Sequence, residues 1–250
     1  MTELSSQEKA ARGLVCLPLD GLHTLSRVRE LVEELSPFVG LFKVGKESFT
    51  RFGPTVVSLV KEHGAEVFLD LKYHDIPNTV KGAARAATEM GVAIFDVHAA
   101  GGQEMMAAAR QGVEEAAAAG EKKPKVIAVT VLTSIDEETL NRECGVPGAV
   151  EDQVFRLASL AQNAGLDGVV CSAADLHALR GKLSPSFLFV TPGIKGTTTP
   201  AGADQKRVLS PGRAVAAGSS LLVVGRAITG AADRQAAALD VLRDIVTVLK

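Results

Sequence analysis

Tryptophan is absent from this sequence and tyrosine occurs once, so beside nine phenylalanines there is little aromatic surface on which nucleobases could stack. An excess of one charge is also lacking. The formal net charge is -2 and the lysines are scattered singly, which excludes a basic stripe able to follow a nucleic-acid backbone. Cysteine is sparse: Cys16, Cys144 and Cys171 are far apart and odd in number, and no pair has the close spacing of a metal or redox motif. Such usage suits the reducing cytoplasm. No stretch approaches the ~20 apolar residues needed to cross a bilayer, so no membrane partner is expected. Residues 1–12 read as a polar leader of mixed charge with no apolar core for a signal peptide, so export is not expected.

What is present is enough to build a large core. The chain has 250 residues, 46% hydrophobic and 22% charged, and neither a linker nor a composition break divides it, so residues 1–250 read as a single domain. Short apolar runs at 14–19, 41–45, 66–72, 93–98, 125–131, 168–171, 187–191 and 221–224 read as strands. Helical patterns fall between and after them, at 24–35, 54–62, 79–90, 103–119, 151–163, 173–180, 213–217 and 232–249, with a short helix around 137–143. Eight strand-helix units predict an α/β fold of the (β/α)8 TIM-barrel type, whose enclosed strands should be apolar throughout. An open doubly wound sheet usually has fewer units, and the first strand here lacks the Gly-rich dinucleotide turn. The long irregular stretch, 192–211, is rich in Gly, Thr and Pro and has the length of a lid or binding loop.

In such a barrel the C-terminal strand ends share one mouth, and here they are unusually polar. They carry Asp20, Lys43, Asp70 with Lys72 and Asp75, Asp96 with His98, Thr133 with Ser134, Ser172, and Gly225 with Arg226. Alternation along an extended strand puts Asp70 and Lys72 on one face and Leu69 and Leu71 on the other. Asp75 follows where the strand gives way to a turn, and Pro77-Asn78 leads into the next helix at about Thr79. A solvated ion-pair cluster is the bland reading of these charges. A site is the sharper one, because polar groups recur at several strand ends. A lysine between two carboxylates has its charged form favoured, since unit charges ~4 Å apart at an effective dielectric near 20 attract by about 4 kcal/mol. Lys72 therefore suits a general acid better than a Schiff-base amine. Gly225-Arg226, beside the Gly-rich loop with Gln205, suits a phosphate. Two carboxylates and a histidine could hold magnesium, but Lys43 and Lys72 crowd the same mouth with positive charge. His98 fits either a functional or a core structural role, while His23, His63, His74 and His177 read as surface or helix-end residues.

The run Asp70-Leu71-Lys72-Tyr73-His74-Asp75-Ile76-Pro77-Asn78-Thr79 resembles the signature of the orotidine 5'-monophosphate decarboxylase family. Lys43-Val44-Gly45, Val190-Thr191-Pro192-Gly193-Ile194, Asp204-Gln205-Lys206-Arg207-Val208 and Val224-Gly225-Arg226 follow the family's order over nearly the whole chain. The resemblance implies that Lys72 protonates pyrimidine C6 as carbon dioxide leaves beside Asp70, with Lys43 and Asp75 completing the charged catalytic set. It implies that Asp20 and Lys43 contact ribose, that Thr133 and Ser134 lie near the base, and that Gln205, Gly225 and Arg226 hold the phosphate. It further implies a homodimer in which Asp75 and Thr79 reach the neighbouring subunit's site, with no metal and no organic cofactor. Lys195 stands where bacterial members usually carry arginine, keeping the charge but losing the bidentate fork for phosphate. The segment 195–205 is also one residue longer than usual, with Ala203 as the extra residue. Two alternatives remain open at this point. One is a related barrel enzyme working on a keto-sugar phosphate through a magnesium enediolate, which would carry an acidic ligand where Lys43 stands. The other is a non-catalytic phosphosugar-binding protein.

Overall fold

A computed structural model describes residues 3–117, 122–196 and 209–249. In chain order its elements are α1 (Ser6–Arg12), β1 (Val15–Pro18), α2 (Leu25–Leu35), β2 (Leu41–Gly45), α3 (Lys46–Phe52), α4 (Thr55–Glu62) and β3 (Glu66–Tyr73). They continue with α5 (Pro77–Glu89), β4 (Ile94–His98), α6 (Gly102–Ala116), β5 (Lys125–Val129), α7 (Glu137–Arg142), α8 (Val150–Asn163), β6 (Gly168–Val170), α9 (Leu176–Leu179) and β7 (Leu188–Thr191). The last are α10 (Pro211–Ala217), β8 (Leu221–Val223), α11 (Arg226–Thr229) and α12 (Arg234–Val246), and a single 3-10 turn, Ala99–Gly101, follows β4. The strands form a closed barrel in the order β1-β2-β3-β4-β5-β6-β7-β8, the (β/α)8 fold that the strand-helix alternation predicts.

The chain falls into two compact units, Met1–Asp70 with Thr191–Lys250, and Leu71–Val190. In the first, β1 pairs in parallel with β2 and β8, and β2 with β3, so that Lys43 stands opposite Phe68 and Gly45 opposite Asp70. Strands enclosed on both faces must be apolar throughout, which is why Val15, Cys16, Leu17, Phe42, Val44, Val67, Phe68 and Leu69 are all buried. Helix α2 buries Val28, Leu31, Val32 and Leu35, the i, i+3, i+4, i+7 stripe, and starts at Thr24, whose side chain accepts from Arg27 N. The expected polar leader contains α1. Ser5 and Glu8 close a reciprocal capping box, and Glu8 lies 3.7 Å from Arg243 of α12.

In the second unit β4, β5, β6 and β7 pair successively in parallel. At the N-terminal ends of these strands Asp167 accepts from Val126 N at 2.8 Å, pairs with Lys125 at 3.1 Å and is gripped by Arg110. A staple at that end of a barrel serves stability rather than chemistry. Helices α5 and α6 pack closely because Gly112 has no side chain: a Cβ there would stand 2.4 Å from Lys81 O.

The helix expected at 173–180 spans Leu176–Leu179 and the last, expected at 232–249, spans Arg234–Val246; two other helices start earlier than expected, each at a proline. The helix after β3 begins at Pro77, whose missing N–H costs nothing in the first turn, rather than at Thr79. The helix before β8 likewise begins at Pro211, capped by the Ser210 side chain, rather than at 213.

Candidate active site

In the first unit the sequence places Lys43 in β2 two residues before Gly45, the residue paired with Asp70. Lys43 and Asp70 therefore project on the same face of adjacent strands, and the ammonium meets the carboxylate: Nζ lies 3.1 Å from Asp70 Oδ2. The same nitrogen lies 3.2 Å from Asp20 Oδ2, beyond the end of β1. Lys43 is thus seated between two carboxylates, one on β3 and one in the loop after β1. Lys43 and Asp70 are buried, while Asp20 is half exposed. Burial opposes the lysine's charge, but Asp70 and then Asp20 outweigh it and hold its pKa above the ordinary value, so Lys43 is a cation at neutral pH.

Three neighbours fix this group. Gly45 leaves the space the ion pairs occupy, because a Cβ there would lie 2.8 Å from Asp20 Oδ1 and 2.9 Å from Lys43 Nζ. The loop carrying Asp20 turns at Gly21, φ 75°, whose N–H donates to Glu47 Oε2 at 3.1 Å. Ser48 Oγ donates to Leu19 O at 2.5 Å on the other side of Asp20. Glu47 and Ser48 belong to α3, a helix the sequence reading missed because no polar turn separates it from β2. Their spacing from Asp20 carries no local signal.

At the end of β8, Val224 N donates to Cys16 O, and Gly225 follows with φ -101° and ψ -103°. A Cβ at Gly225 would approach Pro18 Cγ to 3.1 Å, and Arg226 beyond it is exposed at the start of α11. Lys195 is half buried and its N–H donates to Leu209 O at 3.2 Å. Gln205, Ala203 and the centre of the expected lid lie outside the described residues. The Cys16 and Cys171 thiols are pushed up by burial, which makes them poor nucleophiles.

In the second unit the end of β3 departs from simple alternation. Lys72 has φ 51°, and among the described residues it alone is a non-glycine residue in the left-handed region. That conformation costs a side-chain-bearing residue about 1–2 kcal/mol, so the backbone leaves the extended state at Lys72. Asp96, fully buried on β4, accepts from Lys72 N with Oδ1 at 2.7 Å. A hydrogen bond to a charged acceptor contributes about 1.5–3 kcal/mol, enough to offset the backbone cost. Tyr73 packs at 6.0 Å on Phe95, and burial followed by the charge of Asp96 pushes its phenol up to about 12.

Beyond the strand, Asp75 is exposed and its Oδ1 accepts from Ile76 N at 2.6 Å. Thr79 is exposed on the first turn of α5, and between the two Ile76 is 67% exposed. His98 Nδ1 accepts from Ala100 N at 3.4 Å, closing the 3-10 turn, and its ring stacks on His74 at 5.4 Å. Thr133 and Ser134 are exposed in the loop after β5. Ser172 N donates to Asp175 Oδ2 at 2.8 Å, a local turn contact. Among the described residues no group of three or more His, Cys, Asp or Glu side chains is placed to hold a metal ion.

A closed eight-stranded parallel barrel with buried charges at the C-terminal ends of its strands is the architecture of a barrel enzyme. The family profile described as "Orotidine 5'-phosphate decarboxylase / HUMPS family" matches residues 13–241. Orotidine 5'-phosphate decarboxylase of Moorella thermoacetica is 50% identical over 236 residues, covering 94% of this chain and 93% of that protein. The Syntrophus aciditrophicus protein of the same name is 48% identical over 246 residues, covering 98% and 97%. The crystal structure of orotidine 5'-phosphate decarboxylase from Lactobacillus acidophilus superposes with a TM-score of 0.81 at 36% identity, covering 92% of this chain and 98% of that one. The chain belongs to the orotidine 5'-phosphate decarboxylase / HUMPS family.

Proposed function

We propose that this chain decarboxylates orotidine 5'-phosphate to UMP and carbon dioxide, using its own side chains alone. The observation that carries the reading is the cation at Lys43, paired with Asp70 on β3 and Asp20 beyond β1, in a chain 50% identical to a relative that bears that activity in its name. A magnesium-enediolate relative would need a carboxylate where this chain has Lys43.

In the proposed reaction the C6–carboxylate bond breaks, its electron pair remains on C6, and the Lys72 ammonium donates a proton to that carbon as carbon dioxide departs. Solvent then returns a proton to Lys72. General acids so placed contribute about 10²–10⁴-fold. Asp70 stands beside the departing carboxylate, with Lys43 holding it in place and contacting ribose together with Asp20. Thr133 and Ser134 serve the base, and Gly225 and Arg226 the phosphate, with Gln205 and Lys195 at the same end. Binding of the remote phosphate lends energy to the reacting ring.

The same reading makes the working molecule a homodimer of single-domain subunits. Asp75, Ile76 and Thr79 are exposed together on one segment, open to reach a neighbouring subunit. Residence in the cytoplasm is supported by three free cysteines and by the described residues having no helix long and apolar enough to cross a membrane.

Incubation with orotidine 5'-phosphate should release carbon dioxide and yield UMP at a rate unchanged by excess EDTA. No release, or a rate abolished by EDTA, would overturn the proposal, and tight nucleotide binding without release would indicate a phosphosugar-binding protein.

A further inference from the structure

We infer that Asp96 is a positioning residue for the reaction, holding the backbone of Lys72 in its left-handed conformation and so aiming the ammonium. The inference rests on the proposed role of Lys72 as proton donor. Strand β3 is paired with β2 as far as Asp70, which stands opposite Gly45. Two residues later the backbone turns to φ 51°, a state that a lysine keeps only where its surroundings impose it.

The contact that imposes it is with the carboxylate of Asp96. Its Oδ1 takes the Lys72 N–H at 2.7 Å, a charge-assisted hydrogen bond between a side chain of β4 and the backbone of β3. Asp96 is fully buried, with Phe95 and Val97 buried on either side, so its carboxylate is held in one place. Rotating Lys72 back to an extended conformation would swing its N–H away from this acceptor and send the side chain in another direction. Asp96 does not need to touch the substrate for this. It sets where the Lys72 ammonium emerges, and a displacement of about 1 Å in a reacting group can cost about 100-fold in rate.

The test compares Asp96→Ala, which removes the acceptor, with Asp96→Asn, which keeps an oxygen at the same place without the charge. We expect Asp96→Ala to lower kcat by about 100-fold with KM and UMP affinity within about threefold of wild type, and Asp96→Asn to restore kcat to within about tenfold. Unchanged kcat in Asp96→Ala, a loss confined to KM, or Asp96→Asn as slow as Asp96→Ala would overturn the inference. Should Asp96→Ala fail to fold, the amide signal of Lys72 in lysine-labelled wild-type protein decides. It is expected far downfield and slow to exchange, moving upfield in Asp96→Asn, and a fast-exchanging amide at an ordinary shift overturns the inference. Lys72→Ala is the control: activity remaining in that variant would refute Lys72 as the acid, whereas an inactive Lys72→Ala beside a fully active Asp96→Ala would refute only the role of Asp96.

Discussion

Lys43 Nζ lies 3.1 Å from Asp70 Oδ2, a buried ion pair that joins β2 to β3. Both side chains leave the same face because Lys43 is two residues before Gly45, the register partner of Asp70. Removing one member of such a pair strands the charge of the other in a poor solvent. Lys43→Met should therefore destabilise the fold by about 3–5 kcal/mol, read from denaturant unfolding, and lower decarboxylation as well. A variant as stable as wild type would show that Asp70 does not depend on this cation.

Gly45 makes room for that pair. Its φ of -85° is open to any residue, so Gly45→Ala carries no backbone penalty, yet the new Cβ would press on Asp20 Oδ1 at 2.8 Å and Lys43 Nζ at 2.9 Å. The expected outcome is at least a tenfold loss of kcat/KM, about 1.4 kcal/mol of transition-state stabilisation, with a smaller change in unfolding free energy. Wild-type kinetics would mean that the ion pairs shift freely.

Alkaline pH should weaken the fold through two groups. The pKa of Lys43 is raised, because Asp70 and Asp20 outweigh burial, and Tyr73 is raised to about 12 by burial and then Asp96. In both cases the folded chain holds its proton to higher pH than the unfolded chain. The stabilisation is complete below the unfolded values of about 10 and is lost as pH rises through the folded ones. Unfolding free energy should thus fall between about pH 10 and 12, and Tyr73→Phe should flatten part of that slope. Identical slopes in the two proteins would contradict the assignment to Tyr73.

If Asp75 serves the partner's site, inactive Asp75→Ala and inactive Lys72→Ala proteins should complement when mixed under exchange of subunits. Half of randomly paired dimers are mixed, and each has one intact site and one doubly damaged site, so activity should recover to about a quarter of wild type. No recovery, with mixed dimers demonstrated, would place Asp75 in its own subunit's site.

The barrel was legible because enclosed parallel strands are apolar runs of fixed length, and the expected strands agree with the observed ones within two residues at each end. The charged strand ends were legible for the same reason, since Asp20, Lys43, Asp70 and Asp96 interrupt or terminate those runs. Pairing was less legible. That Lys43 meets both Asp20 and Asp70 depends on the register of three strands, which no local pattern encodes. The left-handed backbone at Lys72 was hidden because lysine is not a residue that favours it, and its support, Asp96, lies 24 positions away. Helix α1 did carry a local signal, Ser5 three residues before Glu8, within the stretch read as a leader. Helix α3 had none at its start, where Gly45 gives no side-chain cap.

In the proposed reaction Lys72 gives its proton to C6 and does little else. The most direct test of that role is Lys72→Ala, with carbon dioxide release in a single turnover and UMP affinity measured on the same preparation. No detectable release and UMP affinity within about tenfold of wild type are expected, because an acid in that role acts only on the reacting carbon. Release at a near-normal rate would contradict that role.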